Sequence, residues 1–272
     1  MSVKGRRLFA MNNPSEPLDW EIPFLMRIGF DGVELTLEHP ESYFDQVETH
    51  WDLIKKTARI GHTRDDLAFA SENPKERETA IQIMKRSLDT FAKLGIGKVN
   101  IHPHRGPASL SYGEKLHHNA AALNELIPYA DSLHIQLMLE NQPPFPSVLD
   151  LKRLQDLTNY PIYLLLDLAH AYCYCGDQGT KEMIEFFGER IAHVHLSDNR
   201  GQGDEHLFPR YGTLNFPYYF EMLRGVLNEN VDFSLESFRI FSGDELRTVT
   251  REEREIYVGE AVKYLKNLLL AT

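Results

Sequence analysis

Strand-like runs in this chain repeatedly end in a side chain that can bind a metal ion. The run 98–104 (KVNIHPH) ends in His102 and His104, and the run 135–141 (IQLMLEN) delivers Glu140. The run 162–170 (IYLLLDLAH) carries Asp167 and His170, and 191–198 (IAHVHLSD) carries His195. The run 232–238 (DFSLESF) carries Glu236, and 58–63 (ARIGHT) delivers His62. Burying polar groups at strand ends is costly unless something pairs with them. A cation shared at one end of a parallel barrel is such a partner. Two such carboxylates bridging one ion, with a histidine and an aspartate completing the shell, form a mixed nitrogen and oxygen set. It suits zinc, manganese, cobalt or iron(II), with zinc and manganese the expected ions. Open coordination positions would take water or substrate oxygens. Asp204 and His206 add two metal-capable groups within the polar, glycine-rich stretch 197–213, the kind of loop that carries function on a barrel.

The elements that must position these residues alternate along the chain. Strands are expected over 6–12 and 32–38 in addition to the six runs above. Helices are expected over 18–28, 43–56, 75–94, 114–132, 148–158, 181–187, 216–227 and 251–270. In 75–94 the apolar residues Ala80, Ile83, Met84, Leu88, Phe91 and Leu94 keep a three-to-four spacing, after the start signal Asn73-Pro74 and before Gly95. Strands such as YLLLDL and IQLML are continuously apolar, as expected when other layers cover both faces. Right-handed βα units repeated eight times close into a (β/α)8 TIM barrel, here one domain over 1–272, with the site at the C-terminal face of the strands. An open doubly wound sheet is the alternative, but Met11-Asn12-Asn13-Pro14 stands where its glycine-rich phosphate turn belongs.

Composition narrows the partners. The net charge of −11 argues against a nucleic acid or an anionic membrane held by bulk electrostatics. No run approaches the roughly 20 apolar residues of a membrane span, and the N-terminus lacks a secretory signal. Cys173 and Cys175 are separated by one residue, too close for an unstrained disulfide, so reduced thiols and a cytoplasmic location are expected. Other histidines read as ordinary: His39 and His134 as boundary residues, His117 and His118 as solvated. Glu34 is either a site residue or half of an internal ion pair at the barrel floor. His104 would share a strand face with His102, as His193 would with His195. Arg105 and Arg200 are candidates for orienting substrate hydroxyls or a phosphate.

The chain resembles the xylose isomerase-like TIM barrels, a superfamily of sugar isomerases and epimerases that also includes the second family of apurinic-site endonucleases. The resemblance rests on GFDGVEL (29–35), LGIGKVNIHPH (94–104), LMLEN (137–141), LLLDLAHAY (164–172), HVHLSDN (193–199), GDEHL (203–207) and SLES (234–237). It implies Glu140, Asp167, His195 and Glu236 as central metal ligands. It further implies His62 and His102, with Glu140, for a second metal, and His170, Asp204 and His206 for a third, so one to three ions per chain. The endonuclease pattern is broken in three places. The first strand reads LFAMNNP and lacks that family's histidine motif; His102-Pro103-His104-Arg105 replaces histidine–proline–glycine–serine; and Asn141-Gln142-Pro143-Pro144 replaces a glycine-rich turn. The expected activity is therefore a metal-dependent isomerisation or epimerisation of a small sugar or polyol, possibly a phosphorylated keto-sugar. Glu140 and Glu236 would move the proton, and His62, His102, His104, His170, Arg105 and Arg200 would contact the substrate. The alternative is a zinc phosphodiesterase of the apurinic-site endonuclease type with a di- or trinuclear centre. Oligomeric state stays open.

Overall fold

The computed structural model describes residues 6–37 and 42–270. Eight parallel strands close into a barrel in sequence order: β1 (Leu8–Met11), β2 (Val33–Leu37), β3 (Ala58–Thr63), β4 (Lys98–Ile101), β5 (Gln136–Glu140), β6 (Tyr163–Asp167), β7 (Ile191–Leu196) and β8 (Asp232–Leu235). Around it lie α1 (Leu18–Ile28), α2 (Ser42–Thr49), α3 (Trp51–Thr57), α4 (Pro74–Leu94), α5 (Tyr112–Ser132), α6 (Val148–Leu157), α7 (Leu168–Phe187), α8 (Phe216–Val226) and α9 (Arg251–Leu270). The expected (β/α)8 TIM barrel is the observed fold. No helix among the described residues is long and apolar enough to cross a membrane.

The interior is layered. Phe9, Ile60, Met138, Leu165 and Ala192 form a separate apolar plug within the strands. Side chains two positions apart share a strand face. One step further along β3, β5 and β6 the same face therefore presents His62, Glu140 and Asp167. This alternation turns an apolar plug into a polar floor. A larger cluster fills the space between the outer strand faces and the helices.

Local signals fix the helix ends. The Asn73 side chain caps α4 and Gly95 closes it at φ 78°, a conformation that glycine adopts without penalty. Ser111 and Glu114 form a reciprocal capping box at α5.

Four expectations need correction. The strand read over 162–170 stops at Asp167, whose side chain accepts the His170 N–H at 2.6 Å and starts α7. His170 is thus in the first turn of a helix, and the helix read over 181–187 is only the second half of α7, beyond a break at Gly176 (φ 66°). The helix read over 43–56 is two helices meeting at His50. Finally, β9 (Arg239–Ser242) and β10 (Glu245–Thr248) form an antiparallel hairpin between β8 and α9 that periodicity did not suggest. His39 lies outside the described residues.

Candidate metal centre and active-site cavity

Glu140 ends β5, Asp167 ends β6, His195 is the fifth residue of β7, and Glu236 follows β8. Asp167 and His195 are register partners. One potential ligand atom from each of these four residues lies within 4.8 Å of the others, and all four side chains are buried. His195 Nδ1 is 2.7 Å from Glu236 Oε2 and 3.9 Å from Asp167 Oδ2. None of these three atoms makes a hydrogen bond of acceptable geometry. Buried polar atoms are almost always satisfied, so three orphans facing one another require an explanation. A divalent cation supplies one, because it accepts a carboxylate and an imidazole lone pair together. The donor set fits a metal.

His170, Asp204 and His206 form a second compact group, again within 4.8 Å. Asp204 Oδ1 is 3.3 Å from His170 Nε2 and 3.0 Å from His206 Nε2. The other nitrogen of His170 stands 3.2 Å from Glu140 Oε1, which links this group to the first. His102 Nε2 is 3.0 Å from Glu140 Oε2, and the His62 ring lies 4.9 Å from the His102 ring. A cavity of about 510 Å³ opens over this floor. His62, His102, Glu140, His170, Asp204, His206 and Glu236 line it, whereas Asp167 and His195 lie fully buried.

The loop after β7 is built to hold Asp204 and His206 in place. Asp198, 1% exposed, accepts the backbone N–H groups of Asn199, Arg210, Gly212 and Leu214 at 2.9, 2.9, 3.0 and 2.9 Å. Glycine is required at 212, where a Cβ would stand 2.3 Å from Asp198 Oδ1 and 2.4 Å from the Asn199 carbonyl. The His206 carbonyl accepts from Phe238 N–H (3.1 Å) and Arg239 N–H (3.2 Å), tying the loop to the segment after Glu236.

Three sequence candidates stand apart from the cavity lining. β4 ends at Ile101, so His104 loses the strand alternation that would align it with His102; its Nδ1 accepts the Ala70 N–H at 3.1 Å instead. Arg105 is exposed. The Arg200 guanidinium lies 3.4 Å from the centre of the Phe241 ring, on the unforeseen hairpin. The arginines that do line the cavity are Arg239 and Arg251, the latter paired with Glu16 and resting on Trp20. Nothing in their local sequence marks them, since the hairpin and α9 bring them there.

A model of the xylose isomerase-like TIM barrel family matches residues 23–268. The chain belongs to this family. An uncharacterised protein of Methanocaldococcus jannaschii is 29% identical over 205 residues, covering 72% of this chain and 69% of its own. A fructoselysine 3-epimerase of Shigella flexneri is 22% identical over 283 residues, covering 96% of this chain and 97% of its own. Among solved structures, a D-tagatose 3-epimerase-like protein superposes with a TM-score of 0.76 at 23% identity, covering 97% of each chain.

The electrostatics of this family barrel follow from burial and pairing. Burial raises the pKa of Glu140, but the charges and hydrogen bonds of His102 and His170 outweigh it, leaving the carboxyl well below its ordinary range. Glu236 is lowered in the same way: burial opposes, and His195 and His206 prevail. Asp167 behaves differently. Burial, reinforced by the neighbouring Glu236 and Glu140 charges against the pull of His170, lifts it to about 6. Burial opposes charge on His206, but Glu236 and Asp204 raise it to about 9. His195 is raised well above its ordinary value, with Glu34 and Glu236 overcoming burial. His170 is raised likewise, by Asp167, Asp204 and Glu140 against burial.

Proposed function

We propose that the protein is a divalent-metal-dependent isomerase or epimerase of a small sugar or polyol, working by proton transfer at the carbon beside a carbonyl. One observation carries this reading: four ligand-type side chains, three of them with an orphaned atom, converge beneath a cavity that two of the four, Glu140 and Glu236, also line. Glu140, Asp167, His195 and Glu236 would hold the ion, zinc or manganese by the donor set. When bound, it would act as a Lewis acid toward the substrate's carbonyl and hydroxyl oxygens.

The chain's own residues do the rest. Glu140 and Glu236 come from strands separated by β6 and β7, so they reach the cavity from different sides. Both have lowered pKa values and are ready to act as bases. One takes the proton from the carbon, leaving an enediolate. The other, ionised at rest as well, must first take up a proton from water; it delivers that proton to the opposite face, and the centre inverts. His170 and His102 line the cavity beside Glu140, where ring N–H groups can orient substrate hydroxyls. A cavity of about 510 Å³ accommodates a monosaccharide derivative. That relatives are described as sugar epimerases supports proton transfer over phosphodiester hydrolysis.

The test is incubation of the manganese-loaded protein with ketohexoses and fructosyl-amines in deuterated water. The expected result is an epimer carrying deuterium at the inverted carbon. Glu236→Gln should lower turnover by roughly 10²–10⁴-fold, the usual worth of a positioned acid–base group. Full activity in that variant would remove Glu236 from the mechanism. Cleavage of an abasic oligonucleotide as the sole activity would reverse the reading.

A further inference from the structure

Glu34 is a fully enclosed carboxylate near the site and has no place in the proton transfer above. It stands on β2, is 0% exposed, and is held between histidines on two other strands. Its Oε1 lies 2.9 Å from His62 Nδ1 and 2.8 Å from His195 Nε2. The two rings stack nearly parallel, 5.6 Å apart and 15° from coplanar orientation, both turned edge-on to that one oxygen. The third histidine, His193, directs its Nε2 to Ser234 Oγ at 2.7 Å; that nitrogen also lies 3.2 Å from Glu34 Oε2, an oxygen that makes no hydrogen bond of acceptable geometry.

We propose that Glu34 is a positioning residue: one buried carboxylate oxygen takes a ring N–H from both His195 and His62, leaving the other nitrogen of each ring as a lone pair for the site. This rests on the reading that Glu140, Asp167, His195 and Glu236 hold a cation. A carboxylate is acceptor-only, so the nitrogens facing it must carry hydrogen. For His195 that places hydrogen on Nε2 and frees Nδ1, the atom directed at Glu236 Oε2 and Asp167 Oδ2. The opposite tautomer would set a lone pair against the Glu34 carboxylate and aim an N–H at the ligand group. With a cation held by that group it would be penalised at both ends. His62 Nδ1 also stands 3.2 Å from Asn100 Nδ2, but the shorter 2.9 Å contact to the charged carboxylate decides, and the same logic frees Nε2 on a ring that lines the cavity. One side chain thus couples a metal-side histidine to a substrate-side histidine.

Metal titration tests this without any substrate. Metal-free protein is titrated with zinc by calorimetry, as wild type and as Glu34→Gln. Loss of such an outer partner typically weakens metal affinity 10–100-fold, and that loss is expected here. A second readout needs no variant: ¹⁵N resonances of the zinc-loaded wild type should show His195 with hydrogen on Nε2 and zinc on Nδ1. Zinc affinity in Glu34→Gln within about twofold of wild type, or zinc on His195 Nε2, would overturn the proposal while leaving the metal centre standing. Wild type that binds no zinc and no manganese would overturn the metal reading itself, and this proposal with it.

Discussion

Asp198 should control whether Asp204 and His206 reach the site at all. Its carboxylate collects four backbone N–H groups, two on each oxygen: Asn199 and Leu214 on Oδ1, Arg210 and Gly212 on Oδ2. Asp198→Asn keeps the shape but replaces one acceptor oxygen with an NH₂ group. Two N–H donors then face a donor. Hydrogen bonds to charged groups contribute about 1.5–3 kcal/mol each, so losing two costs roughly 3–6 kcal/mol if the loop stays closed. Domains have about 5–15 kcal/mol of total stability. Opening the loop would relieve much of that penalty, because exposed N–H groups find water.

The expected outcome is therefore local. Segment 199–214 should lose hydrogen-exchange protection, with a smaller drop in global stability by chemical denaturation. The second cluster should lose Asp204 and His206, so any metal bound there should be released first. Arg210, Gly212 and Leu214 amides exchanging at the wild-type rate in Asp198→Asn, with global stability within about 1 kcal/mol, would refute the reasoning. The carboxylate would then be one acceptor among others and not the hub of the loop.

Two further outcomes are expected. Arg254→Met removes the partner of Glu21, a buried bidentate pair at 2.5 and 2.6 Å that also anchors Asn13 N–H at the cavity rim, and should cost about 3–5 kcal/mol in urea denaturation; Glu21→Gln added to it should restore much of the loss, and equal stability of the single and double variants would count against this account. In metal-free protein the raised histidines His170, His195 and His206 contribute stability that is fully present below about pH 6.5 and lost as pH rises through their folded values, about 9 for His206, so Tm should fall between pH 6.5 and 9, and a flat or rising Tm in that window would be the contrary result.

What could be read from the sequence follows the reach of each signal. Strand alternation has a period of two, so Ile60 and His62, Met138 and Glu140, and Leu165 and Asp167 were bound to share a face once the strands were placed. His102, His195 and Glu236 were likewise read from strand ends and Asp204 and His206 from the polar loop, and the family motifs only assigned them to particular ions. His170 was misplaced in a strand because LLLDLAH contains no glycine or proline; only the Asp167 side chain, bonded to the His170 N–H, marks the switch to a helix. The hairpin left a trace only in Gly243, which sits at φ 63° in the turn between its two strands. Arg239 and Arg251 could not be found that way, because their position depends on how the hairpin and α9 cross the barrel mouth. The place of Arg200 outside the cavity lining was hidden for the same reason: its stacking partner, Phe241, comes from that hairpin.

On the proposed metal reading, the site is a place where protons substitute for a cation. Its buried layer holds four carboxylates, Glu34, Glu140, Asp167 and Glu236, with no lysine or arginine among their ion-pair partners in the described residues. Histidines take that place, and the raised values of His170, His195 and His206 show where positive charge is needed. Asp167, lifted to about 6, is the carboxyl least compensated by them. A metal ion meets the same need more economically, displacing protons from the nitrogens it binds. Its affinity must then rise with pH over the range in which the metal-free protein weakens. Zinc should raise Tm more at pH 8 than at pH 6, a difference in sign that a cation merely screening surface charge would not produce.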